Sequence, residues 1–135
     1  MLHLSKKVEY GLIAIRHIAS QPISDVITAK EMADKYRIPY ELLAKILQKL
    51  TREGLIISYQ GVRGGYVLGR RSDQIKLSDV IYAIEGKQNV SLINCEKENP
   101  ESCNIYQTCT IKNPLSKIQN IINGVFDEMT IAEIV

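Results

Sequence analysis

Apolar residues in the first third of the chain recur at helical spacing. Val8, Leu12, Ile15 and Ala19 predict a helix from Ser5 to about Ser20. Pro22, Ser24 and Asp25 then read as a loop. Thr28 is placed to cap a second helix, with Glu31 three residues on as its capping-box partner. That helix must be short, because Pro39 disfavours helical geometry at Ile38. Tyr40 to Arg52 predicts a third helix, with Leu42, Leu43, Ile46, Leu47 and Leu50 on one side and Gly54 just past its end. The pattern then changes. "LIISYQ" and "YVLGR" are β-rich runs separated by "GVRGG", the signature of a hairpin with a glycine-permitted turn. Ser78 is expected to cap a further helix, "DVIYAIEG", closed by Gly86, and Asn113-Pro114 to open a last one.

Helix, short helix, tight turn, helix and hairpin is the order of a winged helix-turn-helix. Ala33 supplies the small residue where the two motif helices approach, and Ile38 and Leu43 the wedge between them. Arg37 stands where many such motifs carry glycine, so a looser or one-residue-longer turn is expected. The third helix leaves Glu41, Ala44, Lys45, Gln48, Lys49 and Arg52 off its leucine stripe. On DNA, the start of such a helix reaches base edges in the major groove. Tyr40, Glu41, Ala44 and Lys45 are expected nearest the bases, with Gln48 and Lys49 nearer the backbone. Thr28, opening the motif, and Arg63, between glycines at the hairpin tip, complete the DNA-binding set. A bare arginine on a slim turn suits a minor groove roughly 6 Å wide.

Charge supports this division of labour. Residues 1–76 carry 13 Lys/Arg against 7 Asp/Glu, whereas residues 77–135 carry 4 against 8. Two domains are expected: a basic DNA-binding winged helix over 1–76, and an acidic segment over 77–135 holding a cysteine loop and a dimerisation helix. A three-helix bundle with a hairpin also suits plain protein interaction; the charge asymmetry and the hairpin arginine favour double-stranded DNA. Ile118, Ile121, Ile122, Val125, Phe126 and Met129 form an apolar stripe on the last helix. Folding back on its own domain is one cover for it. A second subunit is the other, and it matches two-fold binding to a palindromic operator. The expected class is therefore mainly α with a small β-hairpin wing, plus a long C-terminal helix that makes a homodimer. No run is long and apolar enough for a membrane span and no signal peptide is evident, so a cytoplasmic setting with reduced thiols is expected.

All three cysteines fall within "CEKENPESCNIYQTC", residues 95 to 109. The spacing C-x7-C-x5-C lacks the tight cysteine pair and four evident ligands of structural zinc. The neighbours are polar, unlike those of buried structural cysteines. An iron–sulfur cluster, a zinc site and a thiol switch all remain compatible with the spacing alone. An enzyme with a cysteine nucleophile is not supported: neither His3 nor His17 lies beside the thiols in sequence, and no oxyanion loop is apparent.

The helix-turn-helix, the "GVRGGYVLG" wing, the cysteine triplet before an "NPL" helix and the terminal "MTIAEIV" together resemble the IscR/NsrR family of bacterial winged-helix regulators. The resemblance implies a homodimeric DNA-binding repressor. In cysteine-bearing members an iron–sulfur cluster, 2Fe-2S or 4Fe-4S, controls repression as a sensor of redox state, iron or nitric oxide. Cys95, Cys103 and Cys109 match the ligand cysteines, although the first interval is longer than usual. IscR-like members place histidine three residues after the last cysteine; here Lys112 stands there, and an ammonium cannot ligate iron. NsrR-like members use a carboxylate from the partner's first helix, which the resemblance maps to Glu9, with His3 and His17 as weaker candidates. The alternative is a cluster-free regulator of the same fold, answering to thiol oxidation or a protein partner.

Overall fold

A computed structural model describes residues 3–86, 105 and 107–135 of the chain. Helix α1 (Lys6–Ser20) starts at Ser5, whose hydroxyl accepts the Val8 N–H at 3.2 Å. Helix α2 (Ala29–Tyr36) starts at Thr28, whose hydroxyl accepts the Glu31 N–H at 3.1 Å. Helix α3 (Tyr40–Arg52) ends in a Schellman arrangement. Leu55 N–H donates to the Leu50 carbonyl, Gly54 N–H donates to Thr51, and Gly54 takes φ 76. These three helices match the sequence expectation closely.

The turn between α2 and α3 does not loosen. Arg37 adopts the left-handed conformation, φ 55 and ψ 41, and Ile38 N–H reaches back to the Ala33 carbonyl at 3.1 Å. A motif that ordinarily uses glycine has kept its geometry with an arginine in the glycine conformation, which costs roughly 1–2 kcal/mol. Burial drives this. Ala33, Ile38 and Leu43 are 6%, 4% and 0% exposed, and a longer turn would withdraw Ile38 from the core.

Strands β1 (Ile56–Tyr59) and β2 (Gly65–Leu68) pair antiparallel, with Ile56 opposite Leu68 and Tyr59 opposite Gly65. The wing is anchored by a second pairing. Ile27, just ahead of α2, exchanges both backbone hydrogen bonds with Tyr66, at 3.0 and 2.7 Å. Gly65 permits this approach, since a Cβ there would lie 2.7 Å from the Ile27 carbonyl oxygen and 2.8 Å from Val26.

Helix α4 (Leu77–Glu85) begins earlier than expected, and Ser78 lies buried inside it. Its cap is Lys76, whose backbone N–H donates to the Asp79 carboxylate at 3.0 Å. An aspartate at the third helical position competes successfully with a serine at the second. Gly86 closes α4 at φ 71. Helix α5 (Lys112–Glu128) likewise begins before Asn113, with Leu115 N–H donating to the Ile111 carbonyl. Pro114 is tolerated because first-turn N–H groups have no partner within the helix.

One core joins both halves of the sequence. Val8, Ile15, Met32, Leu43, Ile46, Leu47, Leu50 and Leu55 share it with Val80, Ile81, Ile84 and Ile131. The chain after α5 straps across the winged helix: Leu77 N–H donates to Met129, Ile131 N–H to Ile75, and Arg16 Nε to the Ile134 carbonyl at 2.6 Å. The charge boundary near residue 76 is thus not a boundary in the core.

Helices α1 and α2 are also locked by a polar contact. His17 is 8% exposed, its Nδ1 lies 2.8 Å from the Tyr36 hydroxyl, and the rings meet edge to face at 5.4 Å. Burial pushes the imidazole pKa below its ordinary 6.5; Lys35 adds to the lowering, and Glu31 opposes it. Protonation of the folded state is therefore disfavoured relative to the unfolded chain. This contribution to stability is complete above 6.5 and is lost as pH falls from there through the lower folded pKa. The urea midpoint should fall between about pH 7.5 and pH 5. A His17→Gln variant should show a flatter profile, and equal slopes in both proteins would exclude His17 as the cause.

Candidate DNA-reading face, cysteine loop and dimer seam

Helix α3 presents Tyr40, Glu41, Lys45, Gln48 and Arg52 to solvent, while Leu43, Ile46, Leu47 and Leu50 are buried. Glu41, Lys45, Gln48 and Arg52 follow at spacings of four, three and four, so they share one face. Ala44 is half-buried at its edge. Tyr40 stands 57% exposed at the head of the helix. Beside it, burial and the Tyr40 phenol push the Tyr66 phenol above its ordinary pKa. The Tyr40 phenol at the head of α3 is thus within electrostatic reach of Tyr66 on the wing, and sequence reasoning singled out only Tyr40. The missing signal was the Ile27–Tyr66 pairing, a long-range contact invisible to local pattern.

Two members of the expected DNA-binding set have other work in the fold. Lys49 is half-buried, and its ammonium donates to the Ile84 carbonyl at 3.1 Å. The last carbonyls of a helix attract a cation, and this contact holds the Lys49 ammonium against the end of α4. Thr28 uses its hydroxyl as the α2 cap. Arg63 is exposed at the hairpin tip, where Gly64 N–H closes onto the Gly61 carbonyl at 2.9 Å. A Cβ on Gly64 would lie 2.5 Å from the Tyr59 carbonyl oxygen, which keeps the turn slim.

Of the expected cluster ligands, Cys95 and Cys103 lie outside the described residues. Cys109 is a free thiol, half-buried, three residues ahead of α5. Glu9 sits in the first turn of α1, its side chain 43% exposed and paired with Lys6 at 3.0 Å. The hydrogen bond within that pair, and then its charge attraction, raise the Lys6 pKa. His17 is buried, and its Nδ1 is engaged by the Tyr36 hydroxyl. Among the described residues, no three His, Cys, Asp or Glu side chains gather as a metal site.

The stripe on α5 divides between two faces. Phe126 and Met129 pack against the protein's own core, beside buried Gln119 and Asn123. Ile111, Ile118, Ile121 and Val125 are 54%, 47%, 60% and 51% exposed and repeat at seven, three and four residues, a seam of coiled-coil spacing. Ile122 is half-buried between the faces. The expected continuous stripe is thus an outer seam and an inner anchor. Among the described residues, no helix is long and apolar enough to cross a membrane.

A helix-turn-helix with an anchored wing, followed by a helix with an exposed apolar seam, defines a winged-helix regulator. The Rrf2 family of iron-dependent transcriptional regulators matches residues 4–135, and the chain belongs to that family. It is a DNA-binding transcriptional regulator and not an enzyme. Among solved structures it is similar to CymR (YrzC), the global cysteine regulator of B. subtilis. There the identity is 27% over 99% of this chain and 96% of that one, with a TM-score of 0.77. T. potens IscR shares 25% identity over 98% of this chain and 85% of its own, at a TM-score of 0.74. The oxidized form of Staphylococcus aureus CymR shares 25% over 96% and 93%, at 0.73.

Proposed function

We propose that the protein is a homodimeric regulator whose affinity for a palindromic operator is set by an iron–sulfur cluster. Cys95, Cys103, Cys109 and Glu9 of the partner subunit would hold that cluster, and the observation that carries the reading is where the thiols lie. All three fall between α4, which is part of the DNA-reading core, and α5, which bears the exposed seam. Anything that ties them together constrains the connection between the reading head and the dimer helix.

The donor set suits iron. Three thiolates are the usual ligands of such clusters, and a fourth, non-cysteine ligand is tolerated. The Glu9 carboxylate is accessible, and its pairing with Lys6 is a surface ion pair of about 0–1 kcal/mol, which a stronger ligand displaces. When bound, the cluster supplies a thiolate crosslink that oxidants or gases dismantle. The chain does the rest. The strap from Met129 to Ile134 ties α5 to Ile75, Leu77 and Arg16, so a shift of α5 moves the winged helix as a body. Half-sites recur at fixed helical intervals, which turns a small change in head spacing into a large change in affinity.

One comparison favours a second reading. A CymR structure is described as an oxidized form, which supports a cluster-free regulator switched by thiol oxidation. Anaerobic purification with iron and sulfide analysis separates the two. The cluster reading expects iron and acid-labile sulfide together with a thiolate-to-iron absorption band. Glu9→Ala should keep the dimer but lose that band within minutes in air. Metal-free protein whose DNA affinity follows dithiothreitol would instead support the thiol switch.

A further inference from the structure

Arg37 is the only non-glycine residue at positive φ among those described, and it sits in the turn that launches the DNA-reading helix. Glycine would adopt φ 55, ψ 41 without strain, so the arginine stabilises nothing by its backbone. Its side chain does not compensate within the fold. Arg37 is exposed, and among the described residues the ion pairs are Lys6–Glu9 and Arg71–Asp73. No hydrogen bond engages its guanidinium there, whereas Arg16, Arg70 and Arg71 all donate to oxygen atoms of the protein. A strained backbone carrying an unpaired cation points to a partner outside the chain.

Position identifies that partner. Arg37 lies three residues before Tyr40, the first residue of α3. When a recognition helix enters the major groove by its N-terminal end, the preceding helix and turn cross the sugar–phosphate backbone at the groove edge. We propose that Arg37 binds a DNA phosphate there, as a backbone anchor additional to α3 and the wing. A planar guanidinium presents paired donors to a phosphate, and the contact carries no base preference. The inference rests on the DNA binding of the family, and its test keeps the two separable.

The test needs no operator sequence, because a phosphate contact acts on any duplex. Binding to a fluorescent mixed-sequence duplex is measured from about 50 to 200 mM KCl for wild type, Arg37→Gly, Arg37→Lys and Lys117→Gln. Lys117 is an exposed cation on α5, so its loss reports net charge alone. Arg37→Gly should flatten the plot of log affinity against log salt by about 0.9, one phosphate's worth. Its deficit relative to wild type should then shrink roughly 3.5-fold across that salt range. Its melting temperature should not fall, since glycine relieves the turn, and Arg37→Lys should retain most of the slope. Wild-type slope in Arg37→Gly, or an equal loss in Lys117→Gln, would overturn the contact. A wild-type protein that binds no duplex would instead overturn DNA binding itself.

Discussion

Ile121→Glu is expected to convert the protein from a dimer into a well-folded monomer. Ile121 is the most exposed residue of the α5 seam and lies mid-seam, flanked by Ile118 and Val125. In a monomer the new carboxylate stands in water and disturbs little. In a two-fold dimer it is buried twice, and an unpaired buried charge costs about 3–5 kcal/mol each time. Sedimentation equilibrium should therefore report a monomer with wild-type helicity. Affinity for a palindromic site should fall by roughly 10²–10⁴, because the second half-site no longer benefits from tethering. Asn120→Glu, one position away but off the seam, should leave the dimer intact. Phe126→Ala, on the inner face, should instead lower the melting temperature. A dimeric Ile121→Glu protein would show that the seam is not the subunit interface.

Gly65→Ala is expected to dislodge the wing. The added methyl would meet the Ile27 carbonyl oxygen at 2.7 Å, a backbone atom that cannot swing aside as a side chain does. Relief requires β2 to leave Ile27, breaking the two hydrogen bonds between Ile27 and Tyr66. Each contributes about 0.5–1.5 kcal/mol, and alanine at φ 153 adds strain of order 1–3 kcal/mol. A total destabilisation of about 2–6 kcal/mol should appear in urea unfolding. Hydrogen exchange at the Ile27 and Tyr66 amides should accelerate well beyond that of α3. Unchanged protection there would mean that the wing does not depend on this anchor.

How legible these features were in the sequence follows from the range of the interactions behind them. Helices α1, α2 and α3 and the hairpin rest on local signals: Ser5 and Thr28 as caps, Pro39 as a breaker, Gly54 as a Schellman glycine. Those were readable. The start of α4 was misplaced because Ser78 and Asp79 are both capping residues, and burial of Ser78 decides between them. The Lys49 contact was not readable, because helical periodicity shows that a residue lies off the leucine stripe, not which neighbour waits there. The Ile84 carbonyl is 35 residues away in sequence. The α5 stripe was visible as a stripe, yet its division needed the position of the core. The exposed polar face of α3 was legible from its periodicity, whereas the pairing of Tyr66 with Ile27 and the left-handed Arg37 were not. The three cysteines are close together in sequence, whereas what they would bind depends on tertiary and quaternary contacts that no spacing encodes.

The central question is whether the three cysteines govern DNA affinity through iron. The direct measurement is operator affinity of anaerobically purified protein before and after chelation of its iron, with Cys103→Ala measured alongside. The operator is first selected from a random-sequence pool under the same anaerobic conditions. Cluster control predicts iron and sulfide in the wild type and none in Cys103→Ala. It also predicts a shift in affinity on iron removal of roughly 5- to 150-fold, the usual span of coupling between two sites. Cys103→Ala should match the chelated protein from the outset. Iron-free wild type, or identical affinities in all three samples, would contradict it.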